Sequence, residues 1–316
     1  MKKTLSFPII VTGITVLLTL GVYLWGQQRA LNPNQIIVGT TYMTMNNDFY
    51  QVVNDVIVRQ LEKRGNRVYT RDPQLSVKRQ CQQIKMFIDQ RVNAIIINPV
   101  DSHSQKLLSC LRKAKQKGIK IIVVDTQLSD KKLADTTIVS DNYQAGVIIA
   151  HHVMADQKSA NILILEHKKT VSASSRVQGF LDTLASHSDY HIVARKETKG
   201  QTEVAMPQVE RVIASGLHFN VIMSLNDRVA LGALAALQSH QLTSVAIYSV
   251  DGSRDLKQLL SQTTMLKGTV AQSPITMGKQ ASASVYSLLK GKKVPKNITI
   301  KVSWYDRNSP IEMGWQ

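Results

Sequence analysis

The sequence predicts an α/β protein of two lobes, each a parallel sheet flanked by helices, and two observations lead there. The first is alternation. Short β-branched runs occur at 36–40, 67–70, 94–97, 120–125 and 136–140, then at 160–165, 191–195, 219–224, 244–250, 267–272 and 297–303. Amphipathic stretches separate most of them, and strands alternating with helices at this spacing form parallel sheets covered by helices. The second observation is number. Roughly eleven strands exceed what one such sheet usually holds, so two lobes share them. The division falls near 136–142, where a strand follows the 120–125 run with no long helix between.

The elements follow in order. Lys2 and Lys3 precede an uncharged stretch from Leu5 to Gly26, 22 residues long, enough to span a bilayer. The positive end stays in the cytoplasm, so everything after Gln27 faces outward. Leu24-Trp25-Gly26 lacks the small residue expected three before a signal-peptide cut, which favours a retained anchor over a cleaved leader. There is no Cys here to accept a lipid. A polar linker with Gln27, Arg29, Asn32, Pro33 and Asn34 closes this 1–34 segment. The first amphipathic helix carries Val52, Val53, Val56, Ile57 and Leu61 and ends at Gly65. Cys81 falls on one helical face with Val77, Ile84 and Ile88, and Cys110 on another with Leu107, Leu111 and Ala114. If those helices pack side by side, the thiols meet, either as a disulfide in an oxidising compartment or as two buried free thiols.

Composition narrows the function class. The 316-residue chain is 43% apolar and 19% charged, with no low-complexity tract, which is a globular profile. A net charge of +17 invites nucleic acid, but the cations are scattered two or three at a time, as in Lys113-Ala114-Lys115-Gln116-Lys117. No helix-turn-helix, zinc finger or RNA-binding signature accompanies them. A solvated face near an anionic membrane or wall accounts for the charge as well. No Gly-x-Ser-x-Gly elbow, phosphate loop or metal-binding His pair at helical spacing is present, so an enzyme, a metal site and a cofactor are not expected. His151 and His152 are adjacent and point to different parts of a helix surface.

Polar residues accumulate just past the strands. Asn46-Asn47-Asp48-Phe49-Tyr50 follow the first strand and Asp125 follows 120–124. Asp141-Asn142 follow 136–140, and a Ser-rich loop with Arg176 follows 160–165. Asn226-Asp227 follow 219–224, Asp251-Gly252 follow 244–250, and Gln272 closes 267–271. Any one of these is equally a helix N-cap, and Asp227 in particular reads as helix-start chemistry. Recurrence in both halves, at the carboxyl edge where open α/β sheets bind small molecules, points instead to a site. An amide beside two rings suits a sugar: the amide meets hydroxyls while the rings cover the C–H face.

An ordered set of stretches resembles a known family. They are Thr44 to Tyr50, Ile95 to Asp101, Val123-Val124-Asp125, Ser140-Asp141-Asn142 and Ser175 to Phe180, then Asn226 to Ala233, Val250-Asp251-Gly252 and Thr269 to Gln272. The set is similar to the bacterial ribose- and galactose-type sugar-binding proteins, of the type I periplasmic-binding fold shared with the effector domain of lac-type repressors. The resemblance implies two Rossmann-like lobes joined by a three-strand hinge, 35–139 with 273–299 and 140–272 with 300–316, closing over a monosaccharide. It places Asn47 and Asp125 on sugar hydroxyls, Phe49 stacked on the ring and Tyr50 beside it, Arg176, Asn226 and Asp251 opposite, and Gln272 at the hinge. Two departures stand out: Thr126 replaces the Arg of ribose binders, and Glu197-Thr198-Lys199-Gly200-Gln201 lacks the usual second-lobe aromatic. The implied ligand is therefore a pentose, hexose or related polyol rather than ribose in particular. The implied partners are the membrane subunits of an ABC-type importer or, alternatively, a membrane sensor kinase. The implied location is the extracytoplasmic face of the cell membrane, or the periplasm or medium if residues 1–26 are removed.

Overall fold

The structure, a computed structural model, describes residues 7–30, 35–310 and 315, with the side chains of the first helix described from 11 to 23. It forms two compact units, Met1–Ile36 and Ile37–Gln316. The first carries α1 (Phe7–Ala30), with no acidic residue in its first turn. Thr15 and Thr19 turn their hydroxyls onto the carbonyls of Val11 and Thr15, so these polar groups are met within the helix. Among the described residues no helix is long and apolar enough to cross a membrane. The ends of the Leu5–Gly26 stretch lie outside the described side chains.

The second unit begins with β1 (Ile37–Thr41), α2 (Asp48–Glu62), β2 (Arg67–Arg71), α3 (Val77–Asp89), β3 (Ala94–Ile97), α4 (Gln105–Gln116), β4 (Lys120–Val124) and β5 (Thr136–Ser140). There follow α5 (Asn142–Asp156), β6 (Ala160–Glu166), α6 (Val171–Leu184), β7 (Tyr190–Glu197), α7 (Thr202–Ala214) and β8 (Val221–Ser224). Then come α8 (Asp227–Ser239), β9 (Ala246–Asp251), α9 (Arg254–Leu259), β10 (Leu266–Ala271) and α10 (Pro274–Leu289). The last strands are β11 (Asn297–Ile300) and β12 (Ser303–Tyr305).

Two six-stranded sheets result, ordered β2-β1-β3-β4-β5-β11 and β7-β6-β8-β9-β10-β12. Among the described residues all pairings are parallel except β10 with β12. The single strand expected at 297–303 is two strands. Ile300 still pairs with Ser140 in the first sheet, whereas Ser303 pairs with Ala271 in the second, so Lys301 and Val302 carry the chain from one sheet to the other. The chain also crosses at 140–142 and 271–274, and the crossings lie together: the Asp141 amide donates to the Ile300 carbonyl at 2.9 Å. The two sheets, joined by these crossings, make an α/β fold of two lobes with largely parallel sheets.

Burial explains the strand sequences. Ile95, Ile96 and Ile97 are all fully buried, as expected where helices cover both faces of a parallel sheet. On one face Ile84, Phe87, Leu107 and Leu111 pack against Ile95, Ile97 and Val123. In the second lobe, Gly146 of α5 and Gly179 of α6 let the two helices touch backbone to backbone. A Cβ at Gly179 would sit 2.1 Å from the Tyr143 carbonyl oxygen, so no larger residue fits.

α3 and α4 do pack side by side, and Cys81 and Cys110 are free thiols. The Cys81 thiol donates to the Lys106 carbonyl at 3.6 Å. Burial, then its hydrogen bond with Cys110, pushes the Cys81 thiol up to about 12. His152 stacks on Trp304 with ring centroids 3.8 Å apart. Among the described residues no group of His, Cys, Asp and Glu is arranged to hold a metal ion.

Candidate ligand-binding cleft

Residues at the carboxyl ends of both sheets line one small cavity of about 30 Å³. Asn47, Phe49, Tyr50, Asp125, Arg176, Asn226, Asp251 and Gln272 all lie on its wall. The fold brings them together although they follow five different strands, β1, β4, β8, β9 and β10, or belong to α6.

The two central carboxylates share an unusual backbone. Asp125 stands one residue past β4 with φ 66° and Asp251 ends β9 with φ 138°. The first is a left-handed conformation that Asp tolerates, while the second is a region occupied almost exclusively by glycine. Gly252 follows at φ +76°, and a Cβ there would meet the Ala271 Cβ at 2.7 Å, so the turn at Asp251 demands glycine next to it. Strain held at equivalent positions of the two lobes aims both carboxylates into the cavity.

Each carboxylate has a partial set of partners. The Asp125 carboxylate accepts from the Tyr50 hydroxyl at 3.1 Å and the Asn98 side-chain amide at 3.0 Å. Asp251 accepts from Gln272 Nε2 at 2.6 Å and lies 3.7 Å from the Arg176 guanidinium. Burial raises the pKa of both above the ordinary carboxylate range, against the opposing pull of Arg176. Asp251 rises well above it, because Asp227 and Asp125 add repulsion. Burial, with Asp125 and Asp251 nearby, also raises Tyr50, which therefore remains a protonated donor. Gln272 Oε1 is buried without a hydrogen-bond partner. The cleft thus presents acceptors that want donors.

Arg176 is held from two sides. Its Nε donates to Asn142 Oδ1 at 2.7 Å and a terminal nitrogen donates to the Leu225 carbonyl at 2.7 Å. Asn142 comes from the crossing between the lobes, so the guanidinium is fixed by the hinge region itself. Phe49 packs edge-to-face on Tyr50 and on Trp315, at 5.6 and 5.7 Å between centroids. The N-cap reading is also correct in part. Asn47 Oδ1 accepts from the Phe49 amide and Asn226 Oδ1 from the Val229 amide, each at 3.0 Å. Their side-chain carbonyls cap helices; Asn226 Nδ2 donates to the Gly200 carbonyl at 3.3 Å. Asp227 is not a cap: its buried carboxylate accepts from Ser249, Thr269 and the Ser253 amide, tying β9 and β10 to the start of α9.

Sequence reasoning missed His167 and Gln201, which also line the cavity. His167 stands one residue past the end of β6, as Asp125 stands one past β4, and that position was the available signal. His167 Nδ1 lies 2.7 Å from Glu197 Oε1. Burial opposes ionisation of Glu197, but the bonds from His167 and the Lys168 and Lys199 amides prevail and hold it down at about 2. Thr126 is not on the cavity wall. Its Oγ1 accepts from the Ser172 amide at 2.9 Å, on the other side of the cleft.

Comparison with known proteins follows this geometry. Residues 38–293 match the model of a periplasmic binding protein domain. The chain belongs to that family. This periplasmic-binding protein is 27% identical over 301 residues to the ribose import binding protein RbsB of Bacillus subtilis (strain 168), covering 91% of this chain and 96% of that protein. It is 24% identical over 228 residues to a D-apiose import binding protein of Actinobacillus succinogenes, covering 72% and 73%. Among solved structures, the binding component of the arabinose ABC transporter from Shewanella sp. ANA-3, bound to L-arabinofuranose, superposes with TM-score 0.79 at 25% identity. The match covers 85% of this chain and 91% of that one. A myo-inositol-bound solute-binding protein from Bacillus halodurans C-125 shares the fold at 20% identity and TM-score 0.79, covering 86% and 94%.

Proposed function

We propose that this protein captures a monosaccharide, a pentose, hexose or related polyol, between its lobes by hinge closure and delivers it to the membrane subunits of an ABC-type importer. The observation that carries the reading is the pairing of Asp125 and Asp251, one from each lobe, aimed into one cavity with Arg176, two Asn side chains and Phe49. Carboxylates whose acceptor capacity is only partly filled, set against a fixed guanidinium and a ring edge, complement an array of hydroxyls with a C–H face. In this reading Asn47, Asp125, Arg176, Asn226, Asp251 and Gln272 hold hydroxyls, Phe49 covers the ring and Tyr50 orients Asp125. The relatives named for ribose, apiose and arabinose import support it.

In the same proposal α1 holds the protein at the extracytoplasmic face of the membrane, Lys2 and Lys3 remaining inside. Val16, Leu17, Leu18 and Val22 are each more than half exposed, which suits a lipid surrounding.

A thermal-shift screen of the full chain in detergent against D-ribose, L-arabinose, D-allose and myo-inositol tests the binding step. Ligand at about 100-fold its Kd stabilises by ~2.7 kcal/mol, a shift of several degrees. No shift with any simple sugar or polyol would reject it. Gene deletion tests delivery: loss of sugar uptake supports it. Loss of sugar-induced transcription with uptake intact would place the protein ahead of a sensor kinase instead.

A further inference from the structure

Helix α6 begins without a cap of its own. Thr170, at its N-cap position, makes no side-chain bond to the first turn, whereas α2, α3, α4, α5, α8, α9 and α10 each carry an Asn, Asp or Ser cap that does. The orphan amides of α6 are met from the other lobe. The Val171 amide donates to Ser102 Oγ at 3.3 Å and the Ser172 amide to Thr126 Oγ1 at 2.9 Å. Ser102 also donates its own amide to the Lys169 carbonyl at 2.9 Å. Ser102 follows β3 and Thr126 follows β4, both in the first sheet, while α6 belongs to the second lobe. Ser102 and Thr126 are fully buried at this junction.

We infer that Ser102 and Thr126 are closure-determining residues: they cap α6 across the cleft in the closed state and so bias the empty protein toward closure. A helix N-terminus left without its cap is disfavoured, and separation of the lobes exposes the Val171 and Ser172 amides to water. Because α6 also carries Arg176, the caps set the helix that presents the guanidinium to the cavity. The bond gives Thr126 a role off the cavity wall: its short hydroxyl reaches across to the opposite helix. A ligand then needs to supply less of the closing free energy, since affinity depends on the population already closed.

The inference rests on the hinge-closing reading, and its first test needs no sugar. Amide hydrogen exchange of the full chain in detergent, without ligand, reads Val171 and Ser172 directly. The expected result is protection of both amides in the wild type and faster exchange in Ser102→Ala, Thr126→Val and the double variant, by about five-fold per hydroxyl. Exchange in the second half of α6 stays unchanged, and Thr126→Ser retains protection. Unprotected amides in the ligand-free wild type, or unaltered exchange in the double variant, would overturn the inference. Exchange that rises equally in the second half of α6 would also overturn it, since that marks loosening of the helix itself. A second arm titrates D-ribose and L-arabinose into wild type and double variant. Weaker binding by up to about 25-fold, with both caps removed, supports the inference. Undiminished binding of either sugar by the double variant would contradict it, whereas failure of both to bind the wild type counts against ribose and arabinose as ligands and leaves the exchange result standing.

Discussion

Replacing Arg176 by Ala separates a residue that only touches ligand from one that also holds the cleft together. The guanidinium is buried and satisfies two acceptors, Asn142 Oδ1 and the Leu225 carbonyl, while standing 3.7 Å from Asp251. Its removal leaves two buried acceptors bare, each at a cost of about 1–3 kcal/mol. The loss of Asp251's counter-charge is partly relieved, because burial already raises that carboxyl and lets it take up a proton. The ligand-free chain should therefore lose ~3 kcal/mol, which for a body of this size lowers the melting temperature by roughly 6–10 °C. Arg176→Lys keeps the charge but cannot reproduce the fork, so it restores only part of the stability. Differential scanning calorimetry of the ligand-free variants is the assay. An Arg176→Ala protein that melts within a degree of wild type would refute the reasoning and leave Arg176 as a purely ligand-facing group.

Asp251→Asn should behave oppositely. With its folded pKa raised by burial, Asp251 contributes stability that is fully present below the ordinary carboxylate value of 3.8 and is lost as pH rises through the raised folded value. The ligand-free wild type should therefore lose stability as pH rises above the ordinary value of 3.8, and Asp251→Asn should flatten that loss while removing sugar binding. Glu197 has the reverse sign: held at about 2, it contributes stability above its ordinary 4.5 that disappears as pH falls toward about 2, so Glu197→Gln should blunt acid destabilisation in urea titrations below pH 4.5. Gly179→Ala drives a Cβ to 2.1 Å from the Tyr143 carbonyl and should cost about 1–3 kcal/mol by chemical denaturation. Thiol titration of the denatured chain after exposure to a disulfide oxidant should count no free thiols, because Cys81 and Cys110 are in contact; two remaining thiols would exclude the bridge.

Strand ends were legible because a polar residue directly after an apolar run is visible without any tertiary information. Asp125, Asn226 and Asp251 stand out in this way. His167 escaped because the run it follows ends in Glu166, whose charge hides the strand terminus, and attention passes to the Ser-rich loop beyond. The break between β11 and β12 left no local trace. Asn297 to Tyr305 keeps a β-branched and aromatic pattern throughout, and what divides it is which sheet each half can reach. Asn47 and Asn226 show why capping and binding could not be separated in advance. One amide has two ends, and its carbonyl can cap a helix while its nitrogen does other work. Thr126 was visible as a departure, but its partner, the Ser172 amide, becomes apparent only when the lobes face each other across the cleft.

Isothermal titration calorimetry of the full chain in detergent with D-ribose, L-arabinose, D-allose and myo-inositol, for wild type and Asp251→Asn, tests the central claim most directly. The account predicts one-site binding of at least one of these compounds by the wild type and none by the variant. Binding that survives intact in Asp251→Asn, or no heat from any of the four, would contradict it.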